Sequence, residues 1–422
     1  MKIWVVTIGE PIPHEQNSLR LHRTGILNDY LKNEIDIELT WWTSTFNHFE
    51  KKHIIDCDSE RIINNNYTIK LLKGTGYRKN VSIMRILDHY ILARRLKQNF
   101  SEAIDKPDLI LCSFPTLGLS NVSINYGKEW NIPVVIDYRD MWPEVYVEIF
   151  PKRLQPLVEL FLKPLFKKTH QIVREANSLV SITDKLLSTI KVKANRIEEN
   201  LDISIPLAYS NEVEESELQE KIKYFESIFN ENSEIRICFF GNLGRSFDFQ
   251  FLNTLLTDIK YNTVELIICG TGQQEEEIKS LSKKYKNLKY LGYVGALEVK
   301  AIMSLSDYGL CPYINNEAFL SSIPGKVYEY LSEGLDIIHT LKNGELGKYL
   351  SSKDIGYFYD VNDPNSFGKI IDQLINKPPE SKRKRIQQIF EADFSSKTIN
   401  KIYFNHLKKI RDEFQGNREK KI

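Results

Sequence analysis

Three observations predict an α/β protein of two doubly wound, parallel-sheet domains. Short β-branched runs alternate with longer amphipathic ones along the whole chain, the pattern of strands joined by helical crossovers. The chain has 422 residues, long for one domain and comfortable for two. Between two such series, residues 200–234 turn acidic and polar without a strand pattern.

The elements follow in order. The first series places strands at "KIWVVTI", "DIELTWW", "YTIKLL", "DLILCSF", "PVVIDY" and "SLVSI", with helices around 18–33, 81–100, 117–130 and 152–176. The first part of 200–234 reads as the passage between domains. The second series places strands at "IRICFFG", "VELIICG", "KYLGYV", "YGLCPY", "DIIHT" and "IGYFYD". This divides the chain into domains over 1–205 and 206–395, with 396–422 as a helix returning to the first domain. Each half can bury a substantial core without disulfides or metals. Ligands of such sheets bind beyond the carboxyl ends of the strands, so a cleft faced by both domains is expected.

Charge narrows the function. Lys and Arg total 57 against 56 Asp and Glu, a formal charge of +1, which gives no support for nucleic acid as a partner. The five cysteines form no CxxC pair, and four lie in or beside apolar runs, the usage of a reduced, intracellular protein. The eight histidines make no HxxxH or HExxH pattern, and the lone Asp56-Cys57-Asp58 stands in a polar stretch without another ligand, so no metal and no cofactor are expected. The apolar start "MKIWVVTI" is too short for a signal segment, and no run reaches transmembrane length. A cytoplasmic protein is expected, at most peripheral on the inner face of the cytoplasmic membrane.

Two strands of the second series run into glycine, at "CFFGNLGRSF" and "IICGTGQQEE". Glycines such as Gly241, Gly244 and Gly270 either serve turn chemistry or let backbone approach a ligand, with the next helix start offering N–H groups to an anion. Arg245 adds a charged grip for phosphate. "GTG" does not complete a GxGxxG fingerprint. Further on, "SSIPGKVYEYLSEG" (321–334) marks a helix with Ser322 as N-cap and Pro324 in the first turn. Helical spacing puts Lys326, Glu329 and Glu333 on one stripe and turns Val327 and Leu331 to the core. A positive helix end with Lys326 favours a pyrophosphate, and Glu329 suits a ribose diol.

The order "FFGNLGRSFD", "LIICGTG", "YLGYV", "YGLCPY", "IPGKVYEYLSEGLDII" and "NGELGKYL" resembles the donor half of a GT-B glycosyltransferase of retaining family 4, in its bacterial O-antigen and capsule branch. In the first half "IDYRDMWPE" resembles that branch's strand-end signature, and "IGEPIPHEQNSLRLHRTGILNDYL" its acceptor-side loop and first helix. The resemblance implies that Glu329 binds the ribose and that Lys326 and Arg245 face the diphosphate. It further implies a backbone contact from Val294 to the base, a loop at Gly344, Glu345, Leu346 and Gly347 beneath the donor, and Gly9 on the acceptor side. Three positions depart from the pattern: Ser321 replaces the first glutamate of the usual pair, Asn242 a phosphate-binding arginine, and Arg139 a histidine near the reacting carbon. The sugar is therefore unidentified. Arg139 with Asp140 is either catalytic on the acceptor side or a structural ion pair closing its strand. Arg20 and His22 are either acceptor-side residues or surface charges.

What the resemblance implies is transfer of sugar from a nucleotide-sugar donor, most readily a UDP-sugar, with retention. The acceptor it implies is a saccharide, including one carried on polyprenyl diphosphate in O-antigen or capsule synthesis. A sugar-nucleotide epimerase and a non-catalytic binding subunit are the alternatives. Residues 150–174 and 76–98 interleave Lys and Arg with Leu, Ile and Phe, which suits an anionic membrane surface. The same spacing equally suits core apolar residues with solvated lysines.

Overall fold

Strands form where β-branched and aromatic residues run together and can be buried on both faces, as parallel sheets flanked by helices require. The computed structural model of the chain describes all residues except 14–20, 81, 149, 198–200, 211–213, 377–381 and 420–422. It divides into two units, one of residues 1–208 with 396–422 and one of residues 209–395.

The strands of the first unit are β1 (Lys2–Val6), β2 (Glu38–Ser44), β3 (Phe46–Asn47), β4 (Lys52–His53), β5 (Ser59–Asn64), β6 (Tyr67–Leu72), β7 (Leu109–Phe114), β8 (Val134–Tyr138), β9 (Ser178–Ser181) and β10 (Ile203–Ser204). Eight of them make one sheet in the order β10-β9-β8-β7-β1-β2-β6-β5. Ile3 lies opposite Leu109 in its centre. The helices are α1 (Arg23–Leu31), α2 (Ile83–Glu102), α3 (Leu117–Trp130), α4 (Glu144–Glu148), α5 (Gln155–Glu175) and α6 (Asp184–Ala194). One core layer joins Trp4, Trp42, Phe100 and Ile136; the layer on the other face joins Val5, Trp41, Ile69 and Leu407.

The first sheet is parallel, as expected, except at its edge, where β5 pairs antiparallel with β6 across the turn at Asn65 and Asn66. One expectation is corrected here. The passage after residue 200 is not free of strand: Ile203 and Ser204 add to β9, and Leu179 N donates to Asp202 Oδ1 at 2.9 Å. Its acidic part is a helix, α7 (Glu215–Ile228), whose Leu218 and Phe225 are buried while its glutamates stay in solvent.

The second unit contains β11 (Ile235–Phe240), β12 (Val264–Cys269), β13 (Leu288–Gly292), β14 (Tyr308–Cys311), β15 (Asp336–His339) and β16 (Gly356–Phe358). They form an all-parallel sheet, β13-β12-β11-β14-β15-β16. Between them run α8 (Phe251–Thr257), α9 (Glu275–Lys284), α10 (Ala296–Ser304), α11 (Glu317–Leu320), α12 (Gly325–Ser332), α13 (Glu345–Lys353), α14 (Ser366–Asn376) and α15 (Arg383–Asp393). Parallel strands put every strand-to-helix loop at one end of the sheet, so the loops after Phe240, Cys269, Gly292, Cys311 and Thr340 share it. The last helix, α16 (Ser396–Glu419), belongs to the first unit. There Asn400 Nδ2 donates to Ile26 O at 3.4 Å, and His406 lies 3.0 Å from the Ser178 hydroxyl. Among the described residues no helix is long and apolar enough to cross a membrane.

Candidate functional site

At the carboxyl end of the second sheet, the two glycine loops are tied into one floor. Leu243 N donates to Thr271 O and Gln274 N to Leu243 O, both at 2.9 Å. The Gln274 side-chain amide donates to Gly244 O at 2.7 Å and Phe247 O at 3.1 Å. Gly270 has φ +133°, and a Cβ there would sit 1.8 Å from the Gly241 carbonyl oxygen, so only glycine fits. Gly241, at φ +142°, leaves room for the Lys326 ammonium, which would lie 3.2 Å from a Cβ at that position. Asn242 packs its side chain against Gly272 and Gly244 within this floor.

Lys326 opens α12, but the helix starts differently from the expected way. Pro324 stands at the N-cap position and Gly325 is the first helical residue. Ser322 is not the cap: its hydroxyl donates to Ala318 O at 3.0 Å, in the preceding turn. Val327 and Leu331 are fully buried, as the helical spacing requires. Lys326 does not ride an open polar stripe. Its Nζ is buried and has no hydrogen-bond partner. It sits 3.8 Å from the Phe239 ring centre, 4.1 Å from that of Phe247 and 5.3 Å from that of Tyr313. Burial pushes its ammonium down to about 7, against opposing effects of Cys311 and Glu329. Cation–π attraction is worth a few kcal/mol at most and does not replace lost hydration.

Glu329, one turn on, is half-buried and near enough for its charge to act on Lys326 and on Tyr313. Glu333 is buried and pairs with Lys300 at 3.8 Å, so it is structural. Ser321 is buried at the turn before α12. Arg245 is exposed on the first loop, and among the described residues it makes no ion pair. Val294 is half-buried after β13, whose Gly292 O accepts from Gly270 N at 2.6 Å. Gly344 caps α13, Glu345 pairs with Lys348 at 3.1 Å, and Leu346 with Gly347 is buried beneath. The structure thus brings Gly241, Asn242, Gly244, Gly270, Val294, Ser321, Lys326, Glu329 and the 344–347 turn to one end of one sheet.

The aromatic box of Phe239, Phe247 and Tyr313 was missed. The run "CFFG" and the "CPY" after β14 hold its signal, but nothing in spacing says that three distant rings converge on one ammonium.

In the first unit Arg139 sits at the end of β8. Its Nε donates to Asp137 Oδ2 at 2.8 Å, Nη2 to Thr24 Oγ1 at 2.7 Å and to Ser113 Oγ at 2.8 Å, and Nη1 to Glu10. Burial opposes its charge, but the Asp137 and Glu10 carboxylates outweigh that and hold it protonated. Glu10 also receives the Thr24 and Gly25 backbone N–H groups at the start of α1. Asp137 receives Arg23 Nε at 3.1 Å. Arg139 therefore pairs with Asp137 and Glu10, not with Asp140 as the ion-pair reading expected. Asp140 is exposed beside it. His22 is an exposed residue before α1, its ring 5.5 Å from Phe49. Arg20 lies outside the described residues. Gly9, at φ +80°, borders a cavity of about 600 Å³ within this unit. Asp56 and Asp58 pair with Lys73 at 2.6 Å and Arg95 at 2.7 Å, so this pair is structural. Among the described residues no group of three His, Cys, Asp or Glu side chains could hold a metal.

Residues 220–391, which fall in the second unit, match the family of glycosyl transferases group 1. Among curated proteins none matches the chain significantly. Solved structures share the fold over almost the whole chain. Anabaena HepE in complex with UDP superposes with a TM-score of 0.63 at 14% identity, over 97% of this chain and 100% of that one. The catalytic domain of Arabidopsis thaliana starch synthase IV, bound to ADP and acarbose, gives 0.64 at 9% identity, over 97% and 99%. UDP-GlcNAc 2-epimerase from Neisseria meningitidis gives 0.57 at 14%, over 97% and 100%. The fold is thus that of these GT-B structures, with two Rossmann-like units, and its second unit carries the match to glycosyl transferases group 1.

Proposed function

We propose that this protein is a retaining glycosyltransferase that moves a sugar from a UDP-sugar to a lipid-linked, growing surface polysaccharide of the O-antigen or capsule type. The observation that carries the donor reading is Lys326: a buried, hydrogen-bond-free ammonium beside glycine loops and a helix start. A diphosphate supplies the missing charge. Glu329 accepts hydrogen bonds from the ribose hydroxyls, the turn at Val294 meets the base, and Arg245 reaches the phosphates from solvent. UDP is favoured over other nucleotides because it is the ligand in the similar HepE structure.

In the reaction, the bond from the sugar's anomeric carbon to the diphosphate oxygen breaks and a bond to the acceptor oxygen forms on the same face. The acceptor proton leaves with the diphosphate. Lys326 and the α12 and α13 starts stabilise the charge that grows on the leaving group, which is where preorganised donors contribute most. Replacing Lys326 or Arg245 should therefore lower kcat more than it raises the donor KM. A pure KM effect at both would reduce them to donor anchors.

The lipid-linked acceptor rests on the first unit. Leu157, Leu160 and Phe161 of α5 are 65%, 65% and 87% exposed, and Ile83 and Ile86 of α2 are 83% and 71% exposed. The core alternative for these residues is thus corrected: they face solvent, interleaved with Lys152, Arg153, Lys163 and Lys167. An epimerase remains the second reading because a UDP-GlcNAc epimerase shares the fold. Incubation with UDP- and GDP-sugars separates the readings. Transfer or slow release of sugar with its anomeric configuration kept, read by NMR, supports the proposal. An epimerised nucleotide sugar replaces it, and binding without turnover leaves a non-catalytic subunit.

A further inference from the structure

Two glutamines follow the second glycine loop in "GTGQQEEE". Gln273 is exposed, and Gln274 is half-buried at the N-cap position of α9. A polar residue there ordinarily turns its side chain to the N–H groups of its own helix, but that of Gln274 makes no cap bond. Its amide reaches across to the first glycine loop, and both N–H groups go to one turn: Nε2 lies 2.7 Å from Gly244 O and 3.1 Å from Phe247 O. Only the NH₂ side of an amide can face two carbonyl oxygens, so its orientation is fixed.

The turn between those carbonyls, residues 244–247, is closed by Phe247 N donating to Gly244 O at 3.3 Å. It carries two groups of the candidate donor site. Arg245 stands at its tip, exposed and, among the described residues, without an ion pair. Phe247 walls the Lys326 box, its ring centre 4.1 Å from the ammonium. From the other side Ile314 N donates to Ser246 O at 3.0 Å, and Asp248 N to Pro312 O at 2.8 Å. The segment after β14 therefore holds one flank of the turn and Gln274 the other. A guanidinium on a backbone held in this way has less freedom left to lose when it meets an anion, and such pre-organisation raises affinity without adding a contact.

We propose that Gln274 is a positioning residue: it fixes the 244–247 turn so that Arg245 and the Phe247 wall of the Lys326 box face the donor diphosphate together. The proposal rests on the reading that a UDP-sugar is the donor. The test is calorimetric titration of the full-length protein with UDP and with uridine, which lacks the phosphates. Gln274→Met keeps the length of the side chain and removes both N–H groups. It should bind UDP roughly tenfold more weakly, as the loss of two neutral hydrogen bonds implies, and uridine as the native protein does. Arg245→Ala should weaken UDP binding in the native background and change it little further in Gln274→Met, because a residue that acts through another is not additive with it. Gln274→Glu, of the same shape but with acceptors facing the two carbonyls, should repeat the result, and it decides the matter if Gln274→Met does not fold. An unchanged UDP affinity, a parallel loss of UDP and uridine, or an Arg245→Ala effect of equal size in both backgrounds overturns the proposal and leaves the donor reading standing. Absent UDP binding by the native protein overturns the donor reading, and this proposal with it.

Discussion

Lys326 is badly placed for stability, buried without a hydrogen-bond partner. Its pKa falls from 10.5 to about 7 by burial. Between those values the unfolded chain holds a proton that the folded one lacks, so stability should rise with pH across that window; below about pH 7 the folded state carries the full cost of the buried charge. Lys326→Met keeps the aromatic box filled and removes that cost. It should stabilise the protein by roughly 1–4 kcal/mol at pH 6, and the gain should vanish by about pH 10.5, as thermal melts across pH will show. A bound diphosphate raises the lysine's pKa again. Calorimetry in buffers of different ionisation enthalpy at pH 8 should therefore register proton uptake on UDP binding by the native protein and none by Lys326→Met. Equal uptake by both would place the titrating group elsewhere. Glu329→Ala should leave the melting temperature near native and weaken UDP binding by roughly 1–3 kcal/mol; an unchanged affinity would remove Glu329 from the ribose site.

The site's elements depend on how closely loops approach each other. A methyl at Gly270 collides with the Gly241 carbonyl, and its φ of +133° is strained for any other residue. Gly270→Ala should cost about 1–3 kcal/mol, measured by urea unfolding, and should weaken UDP binding with it. Gly325, first residue of α12, has nothing within 4 Å of the place a methyl would occupy. Gly325→Ala should be neutral or stabilise by roughly 0.5–1 kcal/mol. If it is folded and stable yet binds UDP poorly, the open space above Gly325 is where the nucleotide lies; full affinity would put the phosphates away from this helix start.

For the whole molecule, exposed apolar residues concentrate on α2 and α5 although the chain is nearly neutral overall. Each cation near an anionic surface adds about 1 kcal/mol of attraction. Co-sedimentation at low salt should therefore show binding to anionic vesicles and little to neutral ones. Phe161→Glu, at a position 87% exposed, should reduce that binding without lowering the melting temperature. Negligible binding to both kinds of vesicle would leave the acceptor to reach the enzyme from solution.

Read alone, the sequence determined the alternation of strands and helices, because period and β-branching are local properties. β6 falls at Tyr67–Leu72 and α3 at Leu117–Trp130, where the pattern put them. It also determined that the 241–244, 270 and 325–329 segments share one sheet end, since every parallel strand delivers its loop there. It did not show β5, because "SERIIN" sets two isoleucines side by side without apolar alternation, and only pairing with β6 makes it a strand and sets its direction. Nor could it show whether Phe161 lies in the core or in solvent, since an amphipathic helix does not name its cover. The Lys326 box and the Arg139 network were decided by tertiary structure alone. Each includes partners far apart in sequence, Lys326 with Phe239 and Arg139 with Glu10, and the burial that moves a pKa or fixes an ion pair exists only once the sheet has brought them together.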